Sequence, residues 1–78
     1  MIHELKILPE WFGPVKSGAK KCEARVNDRD YKVGDTLILN EWDLNFTGEK
    51  VNALVTHILD DEQYTQPNHI IMSIEVIK

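Results

Sequence analysis

Residues 18–35 read GAKKCEARVNDRDYKVGD, and this stretch decides how the rest of the chain is interpreted. Its first half alternates small apolar residues with polar ones, which predicts a β-strand whose two faces differ. The apolar face, which we expect to point into the core, carries Cys22, Ala24 and Val26. The polar face carries Glu23 and Arg25, which the rise of a strand places about 6–7 Å apart, close enough to interact directly or through water. Turn-forming residues follow, and Gly34 ends them just before a second strand, TLILNEW.

The same stretch has a small excess of positive charge in a chain that is acidic as a whole. Its five basic residues are Lys20, Lys21, Arg25, Arg29 and Lys32. Its four acidic residues are Glu23, Asp28, Asp30 and Asp35. The formal net charge of the chain is −4, so we expect weak non-specific binding to nucleic acid, because that binding depends on neutralising phosphates with Lys and Arg. Any nucleic-acid contact is therefore expected to be local to this stretch.

The length of the chain, 78 residues, predicts one small domain over residues 1–78. Hydrophobic residues make up 42% and charged residues 28%, proportions that are ordinary for a soluble globular protein. The opening residues MIHELKIL mix charged with apolar side chains, so we predict no secretory signal peptide, a cytoplasmic location and no membrane partner. The single cysteine, Cys22, has no internal disulfide partner and is expected to be a small buried hydrophobic residue.

The segment before this stretch predicts a strand and then a short helix. The inward face of the strand is expected to carry His3, Leu5 and Ile7. Pro9 suits the first turn of a helix and Gly18 its end, although Pro14 between them favours two short turns over one regular helix. Trp11, on the same segment, is expected to plug one end of the core or to line a ligand cleft.

Three segments after it predict three more strands. TLILNEW places Leu37 and Leu39 on one face. KVNALVTHILDD is rich in β-branched residues, which favours a long strand. One face of that strand is expected to carry Val51, Ala53, Val55 and His57. HIIMSIEVIK then closes the sheet.

Residues that commonly hold metals or cofactors form no recognisable pattern in this chain. The three histidines, His3, His57 and His69, fall on three different predicted strands without ligand spacing, so we predict no metal. The sequence also has no glycine-rich phosphate loop, no paired cysteines and no nucleophile elbow, so we predict no cofactor.

The order of motifs along the chain resembles a known family. The motifs are HELKILPEWF, then SG-x-K-x-x-E-x-R-x-NDRD-x-x-VGD-x-L-x-L-x-E-W, then T-G. They are similar to those of small uncharacterised ASCH-like proteins within the PUA-like superfold, which are often found in phages and prophages. The resemblance implies an α+β domain: a strongly bent sheet of about five strands closing into a PUA-like barrel, with one short helix after the first strand. Better-known branches of that superfold bind RNA or recognise modified bases.

The resemblance also raises an enzymatic possibility. Some ASCH proteins are amidohydrolases that remove acyl groups from modified cytidine with a lysine, a threonine and a glutamate. Lys20 matches the lysine, but the residue three positions later, where the threonine is expected, is Glu23. We therefore predict no such activity; if the protein were an enzyme, Lys20 and Glu23 would be its acid and base. The simpler interpretation is an ion pair that stabilises the strand and its turn.

We predict that the protein binds a small RNA element, a nucleotide or a modified base. The candidate binding residues are Lys20, Glu23, Arg25, Arg29, Trp11, Tyr31 and Trp42. The basic side chains offer donors to phosphate or to a base edge, and the aromatic side chains offer stacking surfaces. We expect Glu23 and Arg25 to share one polar site beside the turn at residues 18–20. Two alternatives remain. One is an ion-pair network of Arg25 and Arg29 with Glu23, Asp28 and Asp30 that only stabilises the fold. The other is a protein-interaction role, as a phage accessory or host-modulating protein, through Asp43 and the acidic loop at residues 60–62.

Overall fold

The computed structural model describes residues 1–77, which contain five strands and one helix. In chain order these are β1 (Ile2–Ile7), α1 (Pro9–Ser17), β2 (Cys22–Val26), β3 (Thr36–Trp42), β4 (Phe46–Leu59) and β5 (His69–Val76). All five strands form one sheet in the spatial order β1-β3-β4-β5-β2, with β1 parallel to β3 and the other neighbours antiparallel. The sheet curls into a half-barrel whose edge strands are β1 and β2, which confirms the predicted α+β class and the short helix after the first strand. The predicted last strand extended to Lys78, which lies outside the described residues.

The inner face of the sheet carries the hydrophobic core, because alternate side chains of each strand point to it. In β1 this face holds Leu5 and Ile7, as predicted, and in β3 it holds Leu37 and Leu39, which are both completely buried. The other buried apolar side chains are Phe12, Val15, Tyr31, Val51, Ala53, Val55, Ile70, Met72 and Ile74. Burying one large aliphatic side chain contributes about 1.5–3 kcal/mol, so the paired rows of leucine, isoleucine and valine set which face points inward.

Strand β2 has the predicted alternation, but its two faces are reversed. Glu23 is buried, with 4% of its surface exposed, while Cys22 is exposed and Val26 is 49% exposed. The expectation that Cys22, Ala24 and Val26 face the core is therefore wrong. The physical reason is that small side chains gain little from burial, whereas a carboxylate can be buried once cations pair with it.

Strand β4 contains a bulge that the sequence pattern does not reveal. Its pairing with β5 shifts by one residue between Val55 and His57, so the alternation of inward and outward side chains reverses there. Val51, Ala53 and Val55 point inward as predicted. His57 is exposed, which corrects its predicted place on that face, and Ile58 packs against the core instead. The strand also begins earlier than predicted, at Phe46, because the preceding turn needs only residues 43–45.

Helix α1 is continuous through Pro14, although two short turns were expected. Gly13 makes this possible, because a residue with a Cβ atom before proline would clash with the proline ring in helical conformation. Gly18 ends the helix with φ of 86°, in the left-handed region, and its N–H donates to the Val15 carbonyl at 3.1 Å. The helix buries Phe12 and Val15 and leaves Trp11 48% exposed, so Trp11 is not the core plug that one interpretation predicted.

Candidate functional site

A cleft lies between the two edge strands of the half-barrel, where β1 and β2 approach each other without strand pairing in the part of the chain that the structure describes. The cleft has a volume of about 390 Å³, which is within the range of small-molecule sites. Its walls include Lys6, Leu8, Trp11, Lys20, Glu23 and Arg25. We call it the β1–β2 cleft.

Glu23 is the buried acid at the centre of this cleft. Its Oε1 accepts a hydrogen bond from the Lys20 Nζ at 3.2 Å, and its Oε2 accepts one from the Arg25 Nε at 3.0 Å. The Lys20 ammonium also donates to the carbonyl of Cys22. The predicted sharing of one face by Glu23 and Arg25 is confirmed, and the carboxylate is held in place by a cation on each side.

Two arginines, Arg25 on β2 and Arg29 in the loop after it, bind the backbone of β1 across the gap. The Arg25 Nη2 donates to the carbonyl of Lys6 at 2.8 Å, and the Arg29 Nη1 donates to the carbonyl of Glu4 at 3.2 Å. Both carbonyls belong to the edge of β1, where a neighbouring strand would otherwise supply N–H donors. The guanidinium groups therefore supply the N–H donors that a paired neighbouring strand would supply. Arg25 combines this structural role with its place in the cleft.

The predicted network of arginines with aspartates forms only in part. Arg25 pairs with Glu23 as expected, but the ion pair of Asp30 is with Lys32, at 3.4 Å. Within residues 1–77, Arg29 makes its hydrogen bond to backbone and no ion pair to a carboxylate. The two arginines thus differ: one neutralises a buried acid, and the other extends towards solvent beside it.

The three candidate aromatic side chains lie in three different environments. Trp11 lines the β1–β2 cleft and exposes about half of its surface there, at 48%. Tyr31 is buried at 6% exposure and packs on the His3 ring with centroids 4.7 Å apart, although its edge reaches a neighbouring depression that Arg25 and Arg29 also line. Burial raises the pKa of the Tyr31 hydroxyl, and the nearby Arg29 and Arg25 partly oppose that shift.

Trp42 lies outside the cleft. Its ring packs edge-on against Phe46 with centroids 4.8 Å apart, and the Lys6 ammonium sits 4.0 Å from its centroid. One face of the indole is therefore already occupied by a cation–π contact. Of the seven predicted binding residues, the structure brings Trp11, Lys20, Glu23 and Arg25 together, sets Arg29 and Tyr31 on the other side of Arg25, and leaves Trp42 apart.

Sequence reasoning missed two features near the site. Lys6 lines the cleft, and only its place on an edge strand could have indicated this. Asp35 is buried and accepts hydrogen bonds from the His3 Nε2 at 2.8 Å, the Lys32 N–H at 3.0 Å and the Met1 amino group at 3.0 Å. The bond from His3, followed by the Met1 amino group, lowers the pKa of Asp35 from 3.8 to about 2. Asp35 was counted only among the acidic residues of the 18–35 stretch, while His3 was correctly placed inward.

Residues 1–77 hold no group of three or more His, Cys, Asp or Glu side chains arranged to bind a metal ion. Over the same residues, no helix has the length and apolar character that crossing a membrane requires.

Comparison with known proteins identifies relatives of this chain. An "Uncharacterized 12.9 kDa protein in GpA 3'region" of Escherichia phage P2 is 48% identical over 60 residues, which cover 76% of this chain and 55% of the phage protein. The chain thus spans about half the length of that relative. The crystal structure of "hypothetical protein PH0355" matches with a TM-score of 0.70 and 20% identity, covering 99% of this chain and 100% of that one, so the two share a fold. A family model matches residues 2–74, and the chain belongs to that family, described as "Domain of unknown function (DUF3850)".

Proposed function

We propose that the β1–β2 cleft binds one unpaired base of a small RNA element, a nucleotide or a modified base. The observation that carries this proposal is the half-exposed indole of Trp11 beside the buried Glu23–Arg25 pair in one cleft. An exposed aromatic face next to fixed polar groups is the combination that single-stranded RNA sites use to stack a base and read its edge. The resemblance to ASCH-like proteins of the PUA-like superfold supports the same class of ligand.

The polar groups of the cleft are held in place before a ligand arrives. Glu23 is fixed by Lys20 and Arg25, and Arg25 is fixed again by the carbonyl of Lys6. The Oε1 atom of Glu23 accepts from Lys20 and keeps a second lone pair for an amino or imino group of a base. The Arg25 Nη1, which donates to nothing in the described part of the chain, is free for a carbonyl of the base. Because these groups need no reordering, a base bound between them loses little affinity to side-chain entropy.

The ligand is expected to be a single-stranded or isolated base rather than duplex. A base inside an A-form helix cannot present its face to Trp11, so it must be unstacked to enter the cleft. Bulk duplex would also meet a protein of net charge −4, which lacks the general positive surface that non-specific binding requires.

Hydrolysis of acylated cytidine is a less favoured function of the same cleft. The residues that line it include no serine or threonine, so the cleft itself offers no hydroxyl to act as a nucleophile or proton relay. Lys20 and Glu23 form an ion pair with each other, and the Arg25 contact uses the second carboxylate oxygen. We predict no turnover of N4-acetylcytidine. Turnover that disappears in Lys20→Ala would overturn this prediction.

The binding proposal is tested by titrating the protein with the four ribonucleosides, their monophosphates and short single-stranded RNAs. The chain has two tryptophans, so a Trp42→Phe background leaves Trp11 as the only indole whose fluorescence reports binding. We expect quenching of Trp11, and a loss of affinity of about 5- to 150-fold in Trp11→Leu, since stacking on one aromatic contributes about 1–3 kcal/mol per base. Because Trp11→Leu lacks the reporting indole, its dissociation constant is measured by isothermal titration calorimetry.

Two variants separate the cleft from the rest of the surface. Arg25→Lys keeps a charge but loses the planar fork, and we expect weaker binding. Lys50→Gln removes a charge from an exposed site on β4, outside the cleft, and should bind as the wild type does. Equal affinity of wild type, Trp11→Leu and Arg25→Lys would refute base binding by this cleft. Pull-down from a cell lysate checks the protein-interaction alternative. That alternative is favoured if the same host protein is recovered with and without nuclease treatment and no RNA is enriched.

A further inference from the structure

We infer that a basic depression beside the β1–β2 cleft binds a phosphate group of the same ligand. This inference rests on the proposed function and extends it, because it names a phosphorylated nucleotide or phosphodiester rather than a free base or nucleoside. The depression lies where helix α1 ends and β2 begins, and its volume is about 490 Å³. Its walls include Lys16, Lys20, Lys21, Ser73 and Glu75.

The end of helix α1 gathers the three lysines around one space. The left-handed Gly18 turns the chain back, and the N–H of Lys20 donates to the Pro14 carbonyl at 3.0 Å, which fixes the turn. The carbonyl of Lys21 accepts from the Ile74 N–H at 2.9 Å, so the backbone of Lys21 is held against β5. Both sides of the depression therefore have a defined backbone.

The charges in this depression are not balanced by the protein itself. Among residues 1–77, no carboxylate lies within ion-pair distance of Lys16 or Lys21, whereas Lys20 is paired with Glu23. The negative end of the helix dipole accounts for Lys16, which lies in the last turn, but not for Lys21, which follows the helix. Glu75 is the one acid on the wall and is exposed. A bound dianion would supply the anionic partner that neither ammonium group has among the described residues.

Neutral hydrogen-bond donors complete the depression. The Ser73 hydroxyl makes no side-chain hydrogen bond within the described residues and is free to donate to a phosphate oxygen. The Thr56 hydroxyl, on the same wall, already donates to the Ser73 carbonyl at 3.2 Å. Two ammonium groups and one hydroxyl are a donor set that suits phosphate, which presents several strong acceptor oxygens.

Lys20 connects this depression to the cleft. It lines both spaces, with its ammonium on Glu23 in the β1–β2 cleft. A base stacked on Trp11 therefore has its sugar and phosphate beside Lys20, next to Lys16 and Lys21. The consequence is a ligand recognised at both ends, with binding that weakens as salt increases because salt screens the attraction between the ammonium groups and the phosphate.

The test compares ligands with and without phosphate on the full-length, isotope-labelled chain by NMR titration. The probes are nucleosides, their 5′- and 3′-monophosphates and inorganic phosphate. We expect a monophosphate to bind about tenfold more tightly than its nucleoside, with shifts at the amides of Lys21 and Ser73. The double variant Lys16→Gln, Lys21→Gln should lose that advantage and keep nucleoside affinity. The matched control Lys32→Gln, Lys50→Gln removes the same charge from surfaces that line neither space, and should keep the advantage.

The outcomes separate this inference from the proposed function. Equal affinity of nucleoside and monophosphate for the wild type, or an unchanged advantage in Lys16→Gln, Lys21→Gln, overturns the phosphate site and leaves base binding standing. If no nucleoside or monophosphate binds but inorganic phosphate shifts Lys21 and Ser73 in the wild type only, the anion site is supported and base binding fails. Absence of phosphate shifts at these two amides, with no nucleotide bound, overturns both.

Discussion

Replacing Glu23 with alanine removes the one buried acid that joins two cations of the β1–β2 cleft. The variant leaves the Lys20 and Arg25 side chains, which are 27% and 24% exposed, without a carboxylate partner. Hydrogen bonds to charged groups contribute about 1.5–3 kcal/mol each, so two of them set an upper range of about 3–6 kcal/mol. Water can reach both cations in part and will replace some of this stabilisation, so we expect a loss of about 2–4 kcal/mol in the free energy of unfolding.

Urea unfolding followed by circular dichroism measures this loss. For a chain of this size the free energy of unfolding falls by about 1 kcal/mol per molar urea, so the midpoint should move down by about 2–4 M, or the variant should be unfolded without urea. Glu49→Ala is the matched control, because Glu49 is exposed and forms no ion pair in the described residues; it should change stability by less than about 0.5 kcal/mol.

A double-mutant cycle then tests the pairing itself. Glu23→Ala and Arg25→Ala remove the two sides of a 3.0 Å contact, so their effects should be non-additive by about 1–2 kcal/mol. The reasoning is refuted if Glu23→Ala costs no more than Glu49→Ala, or if the two losses simply add.

Three other predictions follow from the fold. Leu37→Ala, at a completely buried position, should lower the free energy of unfolding by about 3–4 kcal/mol, as measured by chemical unfolding. Leu44→Ala, at a position that is 85% exposed, should lower it by less than about 0.5 kcal/mol, and similar losses would contradict the assignment of the core. The folded-state pKa of Asp35 is lowered to about 2, so the stabilisation by its carboxylate is present above pH 3.8 and is lost as the pH falls towards 2. Between pH 5 and pH 2, the melting temperature should therefore fall more steeply for the wild type than for Asp35→Asn. Parallel curves would argue against the His3 contact. The Cys22 thiol should react with an aromatic disulfide reagent in the folded protein as fast as a cysteine in a short peptide; protection until unfolding would restore the buried position expected from the sequence.

The strands themselves could be predicted because their signal is local. The row of Leu37 and Leu39 alternates with partly exposed residues, and β3 has the predicted bounds. The faces of β2 could not be predicted in the same way. Hydrophobicity ranks Cys22 above Glu23 for burial, and only the three-dimensional positions of Lys20 and Arg25 make burial of the acid favourable. A bulge such as the one after Val55 has no sequence signal either, because the residue that a bulge inserts does not differ in type from its neighbours in the strand.

The candidate site could likewise be predicted only where its residues lie close together in the sequence. Glu23 and Arg25 are two residues apart, so the period of one strand was enough to place them on one face, and Lys20 was grouped with them because its turn precedes that strand. Trp11 joins them only because helix α1 brings its indole to the same cleft, and Trp42 packs instead against Phe46 across the β3–β4 turn. Those contacts depend on the spatial order of strands, which alternation within a strand does not encode.

The order of strands in the sheet also determines when each strand can pair while the ribosome synthesises the chain. The antiparallel meander β3-β4-β5 has short connections and can form as soon as it is synthesised, but β1 and β2 attach to its opposite edges. Cys22 pairs with Ser73, so β2 has to wait for the last strand made, whereas β1 can pair once β3 has been synthesised. Pairings between distant segments close slowly because of loop entropy. Strand β2 therefore stays unpaired until β5 has emerged, and its backbone edges are open to chaperones during that interval.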